Sequence, residues 1–260
     1  MRNNGLLVVK IDKLLIFAII FFICLFYSIS DCHSGLREDF KVAIDIGHTK
    51  RQGGAISAHG ICEYDYNREV ALLLFSELIK LGFVKSFIIN ENGDDISLIK
   101  RANQANDSRA NLLISIHHDS VQPIYLLSWR YKGNNLLYCD LFRGYSIFIS
   151  DENENFSSNF LFADLLGSEL LNRGFHPSLH HAELIKGENR KLISKEKGIY
   201  EFNNLVILKS AHIPAVLLEC AVIKNRGEED SINNEYRKRL VNAITSAVIK
   251  YSEKSQSKLK

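Results

Sequence analysis

Val42-Ala-Ile-Asp-Ile-Gly-His48, followed by a loop that ends at Glu63, decides how this chain is read. Val42 to Ile46 is short, apolar and β-branched, and Gly47 stops it, which is the signature of a buried strand. A histidine stands at the strand's carboxyl end. A glycine-rich loop (Gly53, Gly54, Gly60) then leads to Glu63 at the mouth of the next helix. Open α/β sheets gather their ligands outside the carboxyl ends of the strands, so an imidazole and a carboxylate here are candidate metal ligands.

Downstream, strand-like and helix-like patterns alternate. Asp65 to Leu81 carries Val70, Leu73, Leu74, Leu78 and Leu81 near helical spacing, with Gly82 as the stop. Val84–Asn90 reads as a strand, Ile96–Asp107 as a helix, and Leu112–Ile116 as a third buried strand running into His117-His118-Asp119. This alternation implies βαβ units, an α/β class and a largely parallel sheet. The region from Trp129 to Asp140 is irregular. Tyr145–Ser150 then reads as a strand and Asn159–Asn172 as a helix. His176 to Lys197 reads as a long charged loop containing His180, His181, Glu183, Glu188 and Arg190. Leu205–Leu208 and Ala215–Leu218 read as strands, the second running straight into Glu219, and residues 230–252 close the chain with an amphipathic helix. No repeat or second domain is evident.

The 260 residues leave room for a sizeable core, and 46% hydrophobic with 24% charged residues is ordinary for a globular domain. The ends differ from the middle. Arg2, Lys10 and Lys13 precede an uncharged run, Leu14–Ile29, and Ser28-Ile29-Ser30 offers small residues for cleavage. Residues 1–30 therefore read as a secretory signal peptide, with an uncleaved membrane anchor as the alternative. Residues 31–40 form a lead-in, 41–252 the catalytic domain and 253–260 a polar tail. Arg2, Lys10 and Lys13 set against Asp12 account for the whole net charge of +2. The remainder is close to neutral, and nothing in it argues for nucleic-acid binding, which needs a concentrated basic face. Cys32, Cys62, Cys139 and Cys220 fit no CxxC pattern, and either a Cys62–Cys220 bridge or free thiols are compatible with their positions.

If the strands lie parallel and adjacent, His48, Glu63 and His117 converge on one edge. Two imidazoles and a carboxylate form a catalytic zinc set with one position open for water. Glu219 is then the spare carboxylate, able to take a proton from that water and pass it to a leaving amine. Singly, each of these residues has an ordinary structural explanation; their shared placement at the ends of buried strands is what points to chemistry.

VAIDIGH, the loop to Glu63, R-x-x-x-A-N from Arg101 to Asn106, ISIHHD at 114–119 and PAVLLE at 214–219 together resemble the zinc-dependent N-acetylmuramoyl-L-alanine amidases of the amidase 3 type. The resemblance spans about residues 41–250. It implies a single-domain, twisted, mostly parallel six-stranded sheet with helices on both faces. It also implies Zn2+ held by His48, Glu63 and His117, with Glu219 as the catalytic glutamate and peptidoglycan as the substrate. Localisation would be the periplasm, or the periplasmic face of the inner membrane if the leader is retained. No activator protein is legible. His118 and Asp119 read as orienting groups behind the ligands or, for Asp119, as a turn cap. Arg190, His180, His181 and Glu183 read as a lid touching the substrate's acidic stem peptide or as solvated charges. The chain departs from the resemblance at Thr49, where a second glycine is common, and at Ala221-Val222, where Gly-Phe is usual. No counterpart of the inhibitory helix of some relatives is evident in 121–158. The competing readings are a carboxypeptidase-like zinc hydrolase, which needs an arginine clamp such as Arg101 or Arg190, and an inactive regulatory relative.

Overall fold

A computed structural model describes residues 37–257. The signal-peptide or anchor reading of 1–30 and most of the 31–40 lead-in lie outside the described residues. In chain order the elements are β1 (Val42–Ile46), α1 (Glu63–Lys80), β2 (Phe87–Ile89), α2 (Leu98–Asp107), β3 (Leu112–Asp119), β4 (Leu127–Tyr131), β5 (Asn134–Tyr138), β6 (Ser146–Ile149), α3 (Phe156–Asn172), β7 (Lys191–Ser194), β8 (Ile199–Glu201), α4 (Val206–Lys209), β9 (Ala215–Val222), α5 (Arg226–Ser231) and α6 (Asn234–Ser257).

The main sheet has seven strands in the order β2-β1-β3-β9-β6-β8-β7, one more than the six expected. β2, β1, β3 and β9 pair in parallel, and β6 pairs in parallel with β8. β6 runs antiparallel to β9, and β7 antiparallel to β8. Of the two strands not expected, β7 lies within the 176–197 stretch that reads as loop and β8 follows just after it. β7 is an edge strand opening on Lys191, with no residue fully buried, so it lacks the apolar run that marks its neighbours. Leu205–Leu208, read as a strand, belongs instead to the helical turn α4; four apolar residues cannot distinguish the two, and Ile207 and Leu208 are buried with Ala102 and Ala105 of α2. The last helix extends to Ser257, past the expected fraying point.

Residue alternation divides the sheet into two apolar faces. Val42, Ile44 and Ile46 pack with Val70, Leu74 and Leu78 of α1 and with Leu240, Ile244 and Val248 of α6. Ala43, Leu113 and Leu217 face Ala102 and Ala105 of α2. β1 is buried at every position, as a central parallel strand covered on both sides must be. Each fully buried Leu or Ile contributes roughly 1.5–3 kcal/mol of hydrophobic stabilisation. The irregular region after β3 holds a separate hairpin, β4–β5. Its turn residues Lys132 (φ 47°) and Gly133 (φ 85°) are both left-handed, as a two-residue type I′ loop requires. The Trp129 indole Nε1–H donates to the Ala58 carbonyl at 3.0 Å and ties the hairpin to the loop before Glu63. Cys62, Cys139 and Cys220 are free thiols. Among the described residues no helix is long and apolar enough to cross a membrane.

Candidate metal centre and active site

Parallel register brings the predicted residues together. Ile46 pairs with Ile116, so His48 and His117 leave adjacent strand ends, and His117 in turn pairs with Glu219 on β9. Glu63 is the first residue of α1 and reaches back between the two rings. Its Oε2 lies 2.9 Å from His48 Nε2 and its Oε1 lies 3.0 Å from His117 Nδ1. All three ligand atoms fall within 4.8 Å of one another. Two imidazoles and one carboxylate are the donor set of a three-ligand zinc site with an open position, so these residues fit the metal that the sequence implies.

The approach of these groups is set by backbone and glycine geometry. A Cβ on Gly47 would stand 2.5 Å from His117 Cε1 and Nε2, so only glycine lets that ring lie across the strand end. Gly54 has φ +76°, and a Cβ there would stand 2.5 Å from Glu63 Oε2. His48 itself is left-handed at φ 68°. That conformation costs a non-glycine residue roughly 1–2 kcal/mol, so surrounding contacts must hold it.

Two polar networks do so. Arg101 on α2 is fully buried, and its guanidinium donates to Asp45 Oδ1 at 3.0 Å and to the carbonyls of Ile46 and His48. Asp45 Oδ2 accepts from Ser115 Oγ at 2.7 Å. The second network runs through Asn67, one helical turn after Glu63. Its amide donates to the Gly47 carbonyl at 3.2 Å and to Glu63 Oε1 at 3.3 Å, while its Oδ1 accepts from His118 Nδ1 at 2.8 Å. His118 therefore supports the site from behind through Asn67, and burial pushes its pKa down to about 3. The sequence reading missed Asn67; its only signal is a position four residues after a candidate ligand on the same helical face. Thr49 bonds Asp95 through its hydroxyl at 2.7 Å and accepts from Gln52 N at 2.9 Å, which gives the departure from glycine a local role in fixing the loop.

The two carboxylates are driven in opposite directions. Burial works to raise Glu63, but His117 and His48 outweigh it and hold its pKa well below the usual carboxylate range. Burial, then the charges of Asp119 and Glu63, lift Glu219 well above that range. Glu219 Oε2 is shielded from solvent and has no hydrogen-bond partner. A pair of carboxylates pushed apart in this way is the pattern of a fixed anion beside a proton carrier.

Glu219 lines a cavity of about 240 Å3 together with Asp119, His181, Glu188, Arg190 and Phe202. Asp119 reaches the buried histidine pair, its Oδ2 accepting from His181 Nε2 at 2.7 Å. His180 and His181 are buried, not solvated, and His181 Nδ1 donates to Glu188 Oε2 at 2.9 Å. Burial disfavours charge on His181, but Asp119 and Glu188 outweigh it and raise its pKa to about 9. Arg190 lies with its guanidinium 3.7 Å from the centre of the Phe202 ring.

A largely parallel α/β sheet with His48, His117 and Glu219 at its strand ends, and Glu63 at the start of the first helix, is an arrangement that could hold a metal ion. Residues 42–250 match the sequence model of the Amidase_3 family, N-acetylmuramoyl-L-alanine amidase, and the chain belongs to that family. Among curated proteins it is 26% identical to "Probable N-acetylmuramoyl-L-alanine amidase AmiB" of Haemophilus influenzae, over 81% of this chain and 51% of that protein. It is 24% identical to N-acetylmuramoyl-L-alanine amidase AmiC of Escherichia coli O6:H1, over 84% of this chain and 54% of that protein. The chain thus spans about half the length of these two relatives. The fold is also that of the N-acetylmuramoyl-L-alanine amidase from Clostridium difficile 630. The TM-score is 0.63 at 23% identity, covering 82% of this chain and 97% of that one.

Proposed function

We propose that this chain hydrolyses the amide between the lactyl group of N-acetylmuramic acid and L-alanine in peptidoglycan, using zinc held by His48, Glu63 and His117. The convergence of those three side chains beside the partnerless Glu219 carboxylate carries the reading. When bound, the metal would polarise the amide carbonyl and lower the pKa of its water toward ~7.

The protein's own groups supply the rest. Glu63 stays anionic between the imidazoles and fixes their approach. Glu219 takes the proton of the attacking water, and its raised pKa suits a group that must hand that proton on. The acceptor is the alanine nitrogen, which leaves as the amine when the C–N bond breaks. Arg101 and Asn67 hold the ligand ends in place. Arg101 is also unavailable as the arginine clamp of a carboxypeptidase, because it is buried against Asp45. The reading includes export to the periplasm, where the substrate lies, with residues 1–30 as leader.

Digestion of purified sacculi, with products identified by mass spectrometry, tests this directly. Expected are intact stem peptides with a free L-alanine amine, abolished by a chelator; shortened stem peptides would overturn the assignment. Glu219→Gln should keep its zinc and lose turnover, whereas His117→Ala should lose both.

A further inference from the structure

Asp119, His180 and His181 form a second group of metal-type donors, all buried, with ligand atoms within 4.8 Å of one another. Asp119 ends β3, and the two histidines make up most of a single 3-10 turn, His180–Ala182. His181 Nε2 lies 2.7 Å and His180 Nε2 lies 3.4 Å from the same Asp119 oxygen, Oδ2. The opposite nitrogen of each ring is held from behind: His181 Nδ1 by Glu188 Oε2 at 2.9 Å, His180 Nδ1 by Ser178 Oγ at 2.8 Å. Metal-bound imidazoles have this arrangement, with the outer N–H donated to an oxygen that fixes ring and tautomer while the inner nitrogen points at the ion.

His180 supplies an independent observation. The residue is 3% exposed, yet its Nε2 has no hydrogen-bond partner and points at a carboxylate oxygen. In the tautomer whose Nδ1–H donates to Ser178 Oγ, that Nε2 presents a lone pair toward the Asp119 carboxylate, an arrangement that an intervening cation makes favourable. At His181 a cation would take the place of the Nε2 proton. Asp119 and His181 also line the cavity shared with Glu219, so there is space for water to complete a coordination shell.

We propose that Asp119, His180 and His181 form a second divalent-cation site, separate from His48, Glu63 and His117, with Glu188 and Ser178 orienting its imidazoles. Two imidazoles and a carboxylate select a first-row ion such as Zn2+. The ion's charge would lie in the same cavity as Glu219. This assignment does not rest on the amidase reading.

The test is metal stoichiometry of the full chain, stripped with chelator, titrated with Zn2+ and counted by native mass spectrometry. Two equivalents are expected for the unaltered protein. One is expected for each of His180→Gln, His181→Gln and His48→Ala. Glu188→Gln keeps all three ligands and should weaken only the second equivalent, by roughly 10–100-fold, leaving the first unchanged. Circular dichroism of the metal-free variants separates lost ligation from lost folding. A single equivalent that survives His180→Gln, or two that both survive it, would overturn the proposal. A single equivalent lost in His180→Gln but kept in His48→Ala would uphold it and count against the metal reading of the first site.

Discussion

Replacing Arg101 by Met should damage both stability and metal affinity. Asp45 and Arg101 are each 1% exposed, and their ion pair is 3.0 Å long. Methionine fills much of the arginine's volume but leaves the Asp45 carboxylate buried with only the Ser115 hydroxyl for company. Removing one partner of a buried pair costs about 3–5 kcal/mol, a large share of the ~5–15 kcal/mol that holds a domain folded. The substitution also removes the donor to the His48 carbonyl, so the left-handed ligand loses its brace. Loss of such an orienting contact lowers metal affinity by roughly 10–100-fold. Urea denaturation of chelator-treated protein measures the first effect and zinc titration of the native protein the second. Adding Asp45→Asn neutralises the stranded charge, so the double variant should recover at least ~2 kcal/mol of the loss. A single-variant cost below ~1 kcal/mol with unchanged zinc affinity, or a double variant in which the two costs simply add, would refute the reasoning.

Gly47→Ala should weaken zinc binding more than it weakens the fold, because the new methyl meets the His117 ring at the strand end; unchanged zinc affinity would show that the ring is free to move aside. Glu228 gives a pH prediction. Burial raises its pKa from 4.5 to about 7, although the Val222 and Gly144 amides partly oppose this. The folded state therefore holds the proton more tightly, so this contribution is complete below pH 4.5 and is lost as pH rises through about 7. The loss is at most about 3 kcal/mol. Urea midpoints of the unaltered protein minus those of Glu228→Gln should fall between pH 5 and 8, and a flat difference would exclude the effect.

His48, His117 and Glu219 stand out in the sequence because each interrupts or closely follows a run of buried apolar residues, where a polar side chain needs a reason; Glu63 is marked only by its place at the helix mouth after the glycine-rich loop. Strand register follows from those same runs. Asn67 stands in mid-helix with nothing around it to distinguish an amide that braces a ligand from one in water. Arg101 lies in a recognisable motif, but its partner, Asp45, is inside VAIDI and becomes intelligible only once alternation turns it toward α2. His180 and His181 belong to a segment so charged that solvation is the natural reading; they are buried because β3 and the loop through Glu188 close around them, a contact between residues far apart in sequence. β7 escaped for the related reason that an edge strand need not be apolar, and β8, an inner strand, because three residues are too short a run to mark one.

The pairing of Ile46 with Ile116 and of His117 with Glu219 makes the site a record of how the sheet was assembled. A slip of one residue between β1 and β3 would turn His117 to the opposite face, while leaving apolar side chains on both. Such a chain would be compact and helical and yet lack the three-donor pocket. On the proposed metal reading, ion uptake during refolding would report the alignment of two central strands, because only chains with the native register would bring the three donors together.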